Sequence, residues 1–517
     1  MAAALTPHQL DQLTPAAMLR IPLEGLLAVA VLLALPPRAR RVAAVALGAL
    51  LSLLVVVKLA DLGFATALGR PFHVLFDWVL LDDAVGFVAT SFGRTAAIVA
   101  VGVTVLLLLT LPVALIAAVL RLSRVVAQRR AAATRAVAAL TALWVVCAAF
   151  DVRIVPAVPI ADTHATDLAA AHLRQVPEGL RDRDRFATEL VNDPFRYTPG
   201  EELLTALRGK DVLFVFIESY GRNAVEAPEF APAIGAVLDE GYRRLQAAGY
   251  TARSAFLTSS TIGGASWLAH DTLFSGLWID SEQRHRALLA SDRLTLHKAF
   301  RRANWETVGV MPAVTHDWPE GKFFGYQRFY DSRRLGYRGP TFAYAPVPDQ
   351  FTLAAFHRLE RARRDRGPLM AEIDLVSSHS PWTVLPRMLE WSEVGDGAVY
   401  HQSRVVTQRD KRGETARQAR DAYRQTIEYS LRCLISYVET YGDDNLVVVF
   451  LGDHQPSPLI TGPNPSRDVP IAILARDPAV IDRIADWGWQ DGLRPGPQAP
   501  VWRMDAFRDR FLTAFSS

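Results

Sequence analysis

Cysteine is nearly absent from this chain of 517 residues, which contains only Cys147 and Cys433. This excludes a disulfide-built scaffold and any cysteine-based zinc knuckle. An excess of either charge is also lacking, since 56 Lys and Arg face 53 Asp and Glu and leave a net charge of +3. That balance argues against a nucleic-acid partner, because a nucleic-acid-binding domain normally carries a strongly basic face. Half of the residues are hydrophobic, too many for a disordered chain.

The apolar residues are concentrated before residue 151, in four long runs. Runs that approach about 20 apolar residues match the hydrocarbon core of a bilayer when they form helices. Buried helices of a soluble core are the alternative, but four such runs in so short a stretch favour the membrane. We therefore predict a membrane domain at residues 1–151 with about four spans, at 21–36, 42–60, 95–120 and 136–150.

A fifth apolar segment, residues 74–92, contains Asp77, Asp82 and Asp83, which are costly within lipid. Arginines cluster in the loop between the first two runs and in the loop between the last two. The positive-inside rule places both loops in the cytoplasm, which requires an even number of spans between them. Residues 74–92 are therefore predicted to be interfacial or re-entrant. An inner (cytoplasmic) membrane of bacterial type would then carry the rest of the chain on its extracytoplasmic, periplasmic side.

After the membrane domain, we predict a connector at residues 152–205 and a catalytic α/β domain at residues 206–517. Its short runs rich in Val, Ile, Leu and Phe alternate with amphipathic helical patterns near 230–247, 286–303, 349–366 and 414–440. This alternation is typical of a mostly parallel sheet covered on both faces. The predicted strands are 212–218, 251–257, 307–311, 371–376, 446–451 and 470–475.

Two of these strands end in side chains that bind metals. The strand at 212–218 ends in Glu218, and the strand at 446–451 is followed by Gly452, Asp453 and His454. Carboxylate and imidazole groups are suitable ligands for a divalent cation, and functional residues gather at the carboxyl ends of parallel strands. A plain polar turn is the alternative for either strand alone.

Between the two strands lies a loop of hydroxyl side chains and paired glycines, residues 258–270, which contains Ser266. It precedes an apolar helical run, and a helix N-terminus favours an anionic phosphate oxygen. Ser266 could serve as a nucleophile at this position, or it could only cap the helix.

Taken in order, four motifs resemble the alkaline phosphatase/sulfatase superfamily. They are Phe216-Ile-Glu218-Ser219, the Ser266 loop, Ser377-Ser-His379-Ser-Pro381 and Gly452-Asp453-His454. The branch that they resemble most is the membrane-anchored group of lipoteichoic acid synthases and phosphoethanolamine or phosphoglycerol transferases.

The resemblance implies a role for each matching residue. Glu218, Asp453 and His454 would hold the metal, and Ser266 would be a nucleophile that also touches it, with Thr261 and Ser260 as rivals. Two further histidines are implied as catalytic: His379, which resembles a substrate-contacting histidine of the lipoteichoic acid synthases, and His270, at a position where sulfatases carry a basic residue.

Two departures from the family pattern narrow the prediction. A formylglycine sulfatase is excluded because no cysteine lies between Cys147 and Cys433. No histidine follows His454, whereas two-zinc transferases have one there, so a single divalent ion (Mn, Zn, Mg or Ca) is expected.

The implied activity is transfer of a phospho-head group, of the phosphoglycerol or phosphoethanolamine type, through a phospho-serine. The donor would be a phospholipid, and the acceptor an envelope glycan or lipid. A phosphatase or phosphodiesterase of the same fold and a non-catalytic envelope scaffold are the alternatives. Side chains that could contact the substrate are Arg222, His316 and Trp382.

Overall fold

The computed structural model describes residues 20–155, 158–315, 317–342, 344–382, 384–402, 404–406, 416–462 and 464–516. The chain divides into two compact units, Met1–Asp182 and Arg183–Ser517. The boundary falls within the predicted connector, in a helix of 28 residues. Each unit is described separately below.

The first unit consists mainly of helices. Among its described residues, three helices are long and apolar enough to cross a membrane: α2 (Pro37–Leu68), α4 (Arg94–Gln128) and α5 (Arg130–Ala149). The first predicted span instead forms α1 (Leu23–Ala34), a helix of 12 residues. At about 1.5 Å per residue it is shorter than a bilayer core. Proline limits its length, because Pro22 precedes its first residue and Pro36 and Pro37 follow its end.

Residues 74–92, predicted to be interfacial or re-entrant, form a short 3-10 turn (Asp77–Val79) and α3 (Leu80–Phe92). Asp77 is buried, and its carboxylate accepts hydrogen bonds from Arg70 at 2.5 and 2.9 Å and from the His73 amide at 2.7 Å. Paired in this way, an acidic side chain is tolerated in an apolar segment. Its depth relative to a bilayer stays a prediction. The unit ends in the first part of α6 (His164–Val191), which follows three short strands, Arg153–Val155, Val158–Pro159 and Ala161–Asp162.

The second unit is built on a nine-stranded sheet. Its strands are β1 (Asp211–Ile217), β2 (Thr251–Thr258), β3 (Glu306–Met311), β4 (Arg328–Asp331), β5 (Leu369–Leu375), β6 (Leu446–Gly452), β7 (Asp468–Ala475), β8 (Gln490–Asp491) and β9 (Val501–Arg503). Their spatial order is β8-β2-β7-β6-β1-β5-β3-β4, and β9 also pairs with β2. Neighbours from β6 through β1, β5 and β3 to β4 are parallel, while β7 is antiparallel to both β6 and β2. The predicted mostly parallel sheet is thus confirmed.

Helices cover both faces of this sheet. Alternate residues of β1 enter opposite cores, with Leu213 and Val215 on one face and Phe214 and Phe216 on the other. The first core is closed by α8 (Ala231–Ala247) and α14 (Ala416–Tyr441), and the second by α9 (Ser266–Ser275), α11 (Leu296–Arg302) and α17 (Phe507–Phe515). Burial on both faces explains why the strands are continuously apolar. The remaining helices are α7 (Arg222–Glu226), α10 (Glu282–Leu289), α12 (Gly321–Phe324), α13 (Asp349–Phe356), α15 (Pro458–Thr461) and α16 (Pro478–Asp482).

Two predicted helical stretches are interrupted. The pattern at 286–303 is divided between α10 and α11, because Thr295 begins the second helix by accepting a hydrogen bond from the Lys298 amide. The pattern at 349–366 becomes α13 followed by one π-helical turn at His357–Arg361.

Candidate active site

The site begins where β1 and β6 end side by side. Gly452 pairs with Ile217 in parallel register, so Asp453 and Glu218 leave the sheet next to each other. One carboxylate oxygen of Asp453 accepts the amides of Ser219 and His454, both at 2.8 Å. The hydrogen bond from the Ser219 amide holds this carboxylate against the end of β1, and the bond from the His454 amide fixes its orientation.

His454 is fixed with one nitrogen facing the acids. Its Nδ1 lies 2.8 Å from the Gln455 carbonyl and can donate to it, which leaves Nε2 with a lone pair. Nε2 is 3.4 Å from an oxygen of Glu218 and 3.4 Å from one of Asp453. All three side chains are buried, and their ligand atoms lie within 4.8 Å of one another. Two carboxylates and one oriented imidazole form a donor set that fits a divalent cation.

Ser266 lies at the same point. Its Oγ is 3.1 Å from an oxygen of Glu218 and 3.2 Å from His454 Nε2. It is the first residue of α9, which begins after Ala265 in the left-handed region (φ 59°). The loop is joined to the end of β6 by Ser259, which donates to the Asp453 carbonyl at 2.6 Å, and by the Gly263 amide, which donates to the Gln455 carbonyl at 2.8 Å.

The two rival hydroxyls point elsewhere. Thr261 donates to the Gly264 carbonyl at 2.7 Å, and Ser260 donates to the Leu268 carbonyl at 3.2 Å. Both are thus used to shape the loop. The geometry supports Ser266 as the nucleophile.

The electrostatics of the cluster favour a cation. Burial and the nearby Glu218 raise the pKa of Asp453 to about 6. Burial opposes the charged form of His454, but Asp453 and Glu218 outweigh it and raise its pKa. In the absence of a cation, the cluster therefore holds protons at pH values where isolated groups would release them.

A second polar cluster lies beneath the first, on the face of the sheet that α9 covers. His270 Nδ1 is 2.9 Å from one oxygen of Glu372, while the other oxygen lies 2.6 Å from His297 Nε2 and also accepts the Tyr326 hydroxyl. Asp374 is 3.8 Å from the same His270 nitrogen. Burial lowers the pKa of His270, but Asp374 and Glu372 outweigh it and raise the value to about 9.

The sequence interpretation did not include Glu372 or Asp374. The signal that could have identified them is the pair of acids at alternate positions of β5, an apolar strand in which every second side chain faces the same side.

His379 has the opposite character to His270. Its Nδ1 is 2.5 Å from the Ser380 carbonyl, and its ring stacks on Tyr344 at 3.7 Å. Burial, with the nearby His454, lowers its pKa to about 4. It is therefore a neutral imidazole at physiological pH, suited to accept a proton.

The predicted substrate residues have other partners or lie outside the described residues. Arg222 pairs with Glu226 at 2.8 Å and with Asp468 at 3.0 Å. Trp382 is buried, and its indole donates to the Ser378 carbonyl at 2.6 Å. His316 is outside the described residues. Contact of these two side chains with substrate stays a prediction. The ion pairs of Arg222 and the burial of Trp382 do not favour it.

No family model matches the sequence, and no curated protein matches it. Several solved structures, however, are similar to this chain. A lipoteichoic acid synthase from Listeria monocytogenes is 14% identical, with 65% of this chain and 78% of that chain covered and a TM-score of 0.41. A lipooligosaccharide phosphoethanolamine transferase from Neisseria meningitidis, an integral membrane protein, is 13% identical, with 97% and 87% covered and a TM-score of 0.47.

A phosphoglycerol transferase from Streptococcus pyogenes, solved with sn-glycerol-1-phosphate, is 13% identical, with 57% of this chain and 72% of that chain covered and a TM-score of 0.34. Because identities and TM-scores of this size do not establish a shared activity, the function is argued from the geometry of the site. These three are, by name, a lipoteichoic acid synthase, a phosphoethanolamine transferase and a phosphoglycerol transferase, and a glycosaminoglycan sulfatase is also similar.

Proposed function

We propose that this chain is a membrane-anchored, metal-dependent phosphotransferase. It would move a phospho-head group, of the phosphoglycerol or phosphoethanolamine type, from a phospholipid to an envelope glycan or lipid through a phospho-serine on Ser266. The observation that carries the proposal is the position of the Ser266 hydroxyl, 3.1 Å from Glu218 and 3.2 Å from His454.

A half-buried serine placed between a carboxylate and an imidazole does more than cap a helix. The Ser266 hydroxyl faces the three side chains that fit a divalent cation, so the group to be activated and the groups that would hold the cation meet at one point. A bound cation would lower the pKa of the hydroxyl and neutralise charge on the non-bridging phosphate oxygens. Glu218, Asp453 and His454 would hold it.

The residues of the site then divide the reaction between them. Ser266 attacks phosphorus, and its place at the N-terminus of α9 favours a phosphate oxygen near the first-turn amides. His270, whose pKa Asp374 and Glu372 raise to about 9, is suited to give a proton to the departing diacylglycerol oxygen. His379 is neutral and is suited to accept the proton of the incoming hydroxyl.

Anchoring favours a lipid donor over a soluble one. Three helices in the part of the chain that the structure describes are long and apolar enough to span a bilayer. A catalytic domain tethered to a membrane works at a high effective concentration of lipid head groups. We infer an inner membrane of bacterial type, with the catalytic domain on the periplasmic side, from the arginine distribution of the sequence.

The test is an assay with the full chain in vesicles containing a phospholipid labelled in its phosphate. The expected result is label on an added glycan or lipid acceptor, with a transient labelled protein intermediate. Label recovered only as inorganic phosphate or a free phosphoalcohol would contradict transfer and favour the hydrolase. No release at all would favour the scaffold.

Two variants test the nucleophile. Ser266→Ala is expected to abolish the labelled intermediate and turnover while cation binding remains. Thr261→Val, which removes the rival hydroxyl and its hydrogen bond to the Gly264 carbonyl at nearly constant volume, is expected to retain the labelled intermediate. The opposite result for the pair would transfer the role of nucleophile to Thr261.

A further inference from the structure

The buried carboxylate of Glu372, on β5, accepts hydrogen bonds from three side chains. Glu372 is 1% exposed, and its two oxygens meet donors from α9 (His270), from α11 (His297) and from the segment before β4 (Tyr326). A carboxylate this deeply buried is costly unless fully paired, and here it is fully paired. These hydrogen bonds restrict the orientation of all three donor side chains.

This cluster fixes the direction of the His270 Nδ1–H and the orientation of the ring, while the protonated ring also carries a proton on Nε2. Nδ1 is directed at Glu372, and the ring lies flat on Phe216, with centroids 3.7 Å apart and planes 16° apart. The other nitrogen, Nε2, takes part in none of the hydrogen bonds found among the described residues. The side chain is 11% exposed, so it is held in place without being sealed off.

The position of His270 relates it to the nucleophile. It lies four residues after Ser266 in the same helix, and residues four apart project from the same face, one turn from each other. A histidine with one nitrogen held by a carboxylate and the other directed at the reacting group is a recurring solution for proton transfer.

We propose that Glu372 is a positioning residue that, with His297 and Tyr326, holds His270 so that its Nε2–H donates to the leaving oxygen of the lipid donor. This inference rests on the proposed function and deepens it. As Ser266 Oγ bonds to phosphorus and releases its proton to solvent, the phosphorus–oxygen bond to the lipid breaks. The lipid oxygen keeps the electron pair and takes the proton from Nε2. His270 is reprotonated from solvent before the next cycle.

The experiment compares two leaving groups. A phospholipid releases an alkoxide, which must be protonated, whereas bis(p-nitrophenyl) phosphate releases a stable phenolate that needs no proton. Glu372→Gln is expected to lower kcat on the lipid about 100-fold with KM nearly unchanged, and to change kcat on the aryl ester by less than about threefold. A variant that only disturbs the fold would slow both substrates equally.

Two further variants keep the test decisive. His270→Gln retains a donor for Glu372 but removes the proton carrier, so the same selective loss is expected. Glu360→Gln is the matched control, because Glu360 is buried and paired with Arg328 and Tyr330 away from His270. It is expected to affect the two substrates equally.

Three results would overturn the inference. Equal losses on both substrates in Glu372→Gln and His270→Gln would reduce the cluster to a structural role. Two cations per chain in the wild type and one in Glu372→Gln, counted by elemental analysis, would make it a second metal site. A wild type that cleaves neither substrate would remove the proposed function itself, and this inference with it.

Discussion

At Asp453, burial and the neighbouring Glu218 raise the pKa of the carboxyl group to about 6, above the ordinary value for aspartate. The cation-free protein therefore keeps a proton there until the pH rises through about 6. A cation must displace that proton, so cation affinity should fall as the pH drops below this value.

The expected fall is roughly tenfold per pH unit for each proton displaced. It can be measured by calorimetric titration of the chelator-treated protein between pH 5 and pH 8. The raised pKa of His454 should extend the competition to higher pH. Equal affinities at pH 5 and pH 7.5 would contradict the assignment of these ligands.

The substitution Asp453→Asn separates the two roles of this side chain. An asparagine oxygen can still accept the amides of Ser219 and His454, which now bond at 2.8 Å, but the ligand charge is lost. We expect cation affinity to fall by at least about 100-fold with little change in folding. Elemental analysis and thermal unfolding without added metal would check this, and retention of the cation would contradict it.

At the scale of the elements, the end of β6 can approach the turn after β1 only because residue 452 is a glycine. A Cβ at Gly452 would lie 1.8 Å from the Tyr220 carbonyl oxygen, a backbone atom that cannot move aside cheaply. The close approach lets β6 and the turn after β1 bring Asp453 and Glu218 together. Any side chain here should therefore disturb the cation site as well as the fold.

We expect Gly452→Ala to lower the free energy of unfolding by at least about 1 kcal/mol. Gly367→Ala is the matched control, because nothing lies within 4 Å of a Cβ there. Denaturant unfolding of both variants would test the difference. Equal stability of the two would show that the end of β6 can relax.

Local sequence patterns were sufficient to predict the strands but not every helix boundary. All six predicted strands exist, with ends within about two residues, because a run buried on both faces leaves an unbroken apolar signature. The interruption between α10 and α11 was not predicted, since Thr295 resembles any other polar residue on a helical face until its hydroxyl is seen to accept the Lys298 amide.

The division of the whole molecule into two units leads to a further prediction. The second unit has a sheet with a core on each face, enough to fold without the first. Residues 183–517 alone should therefore be soluble, bind one divalent cation and cleave a soluble aryl phosphodiester. Transfer from a lipid in vesicles should fall at least about 100-fold, because the membrane anchor is missing.

This can be checked by circular dichroism, cation counting and the two activity assays on the truncated and full chains. Undiminished transfer from vesicle lipid by the truncated chain would contradict the role of the anchor.

The sequence by itself determined the three long apolar helices, the mostly parallel sheet and the polar residues at the strand ends, because hydrophobic runs and the residues that follow them are local properties. It left Ser266, Thr261 and Ser260 open as rivals. Only the tertiary structure directed Ser266 towards Glu218 and His454. Likewise, only the tertiary structure brought Glu372 of β5 to His270 and His297, which lie 102 and 75 residues away in the chain. Such convergence depends on how strands and helices pack, which no local pattern records.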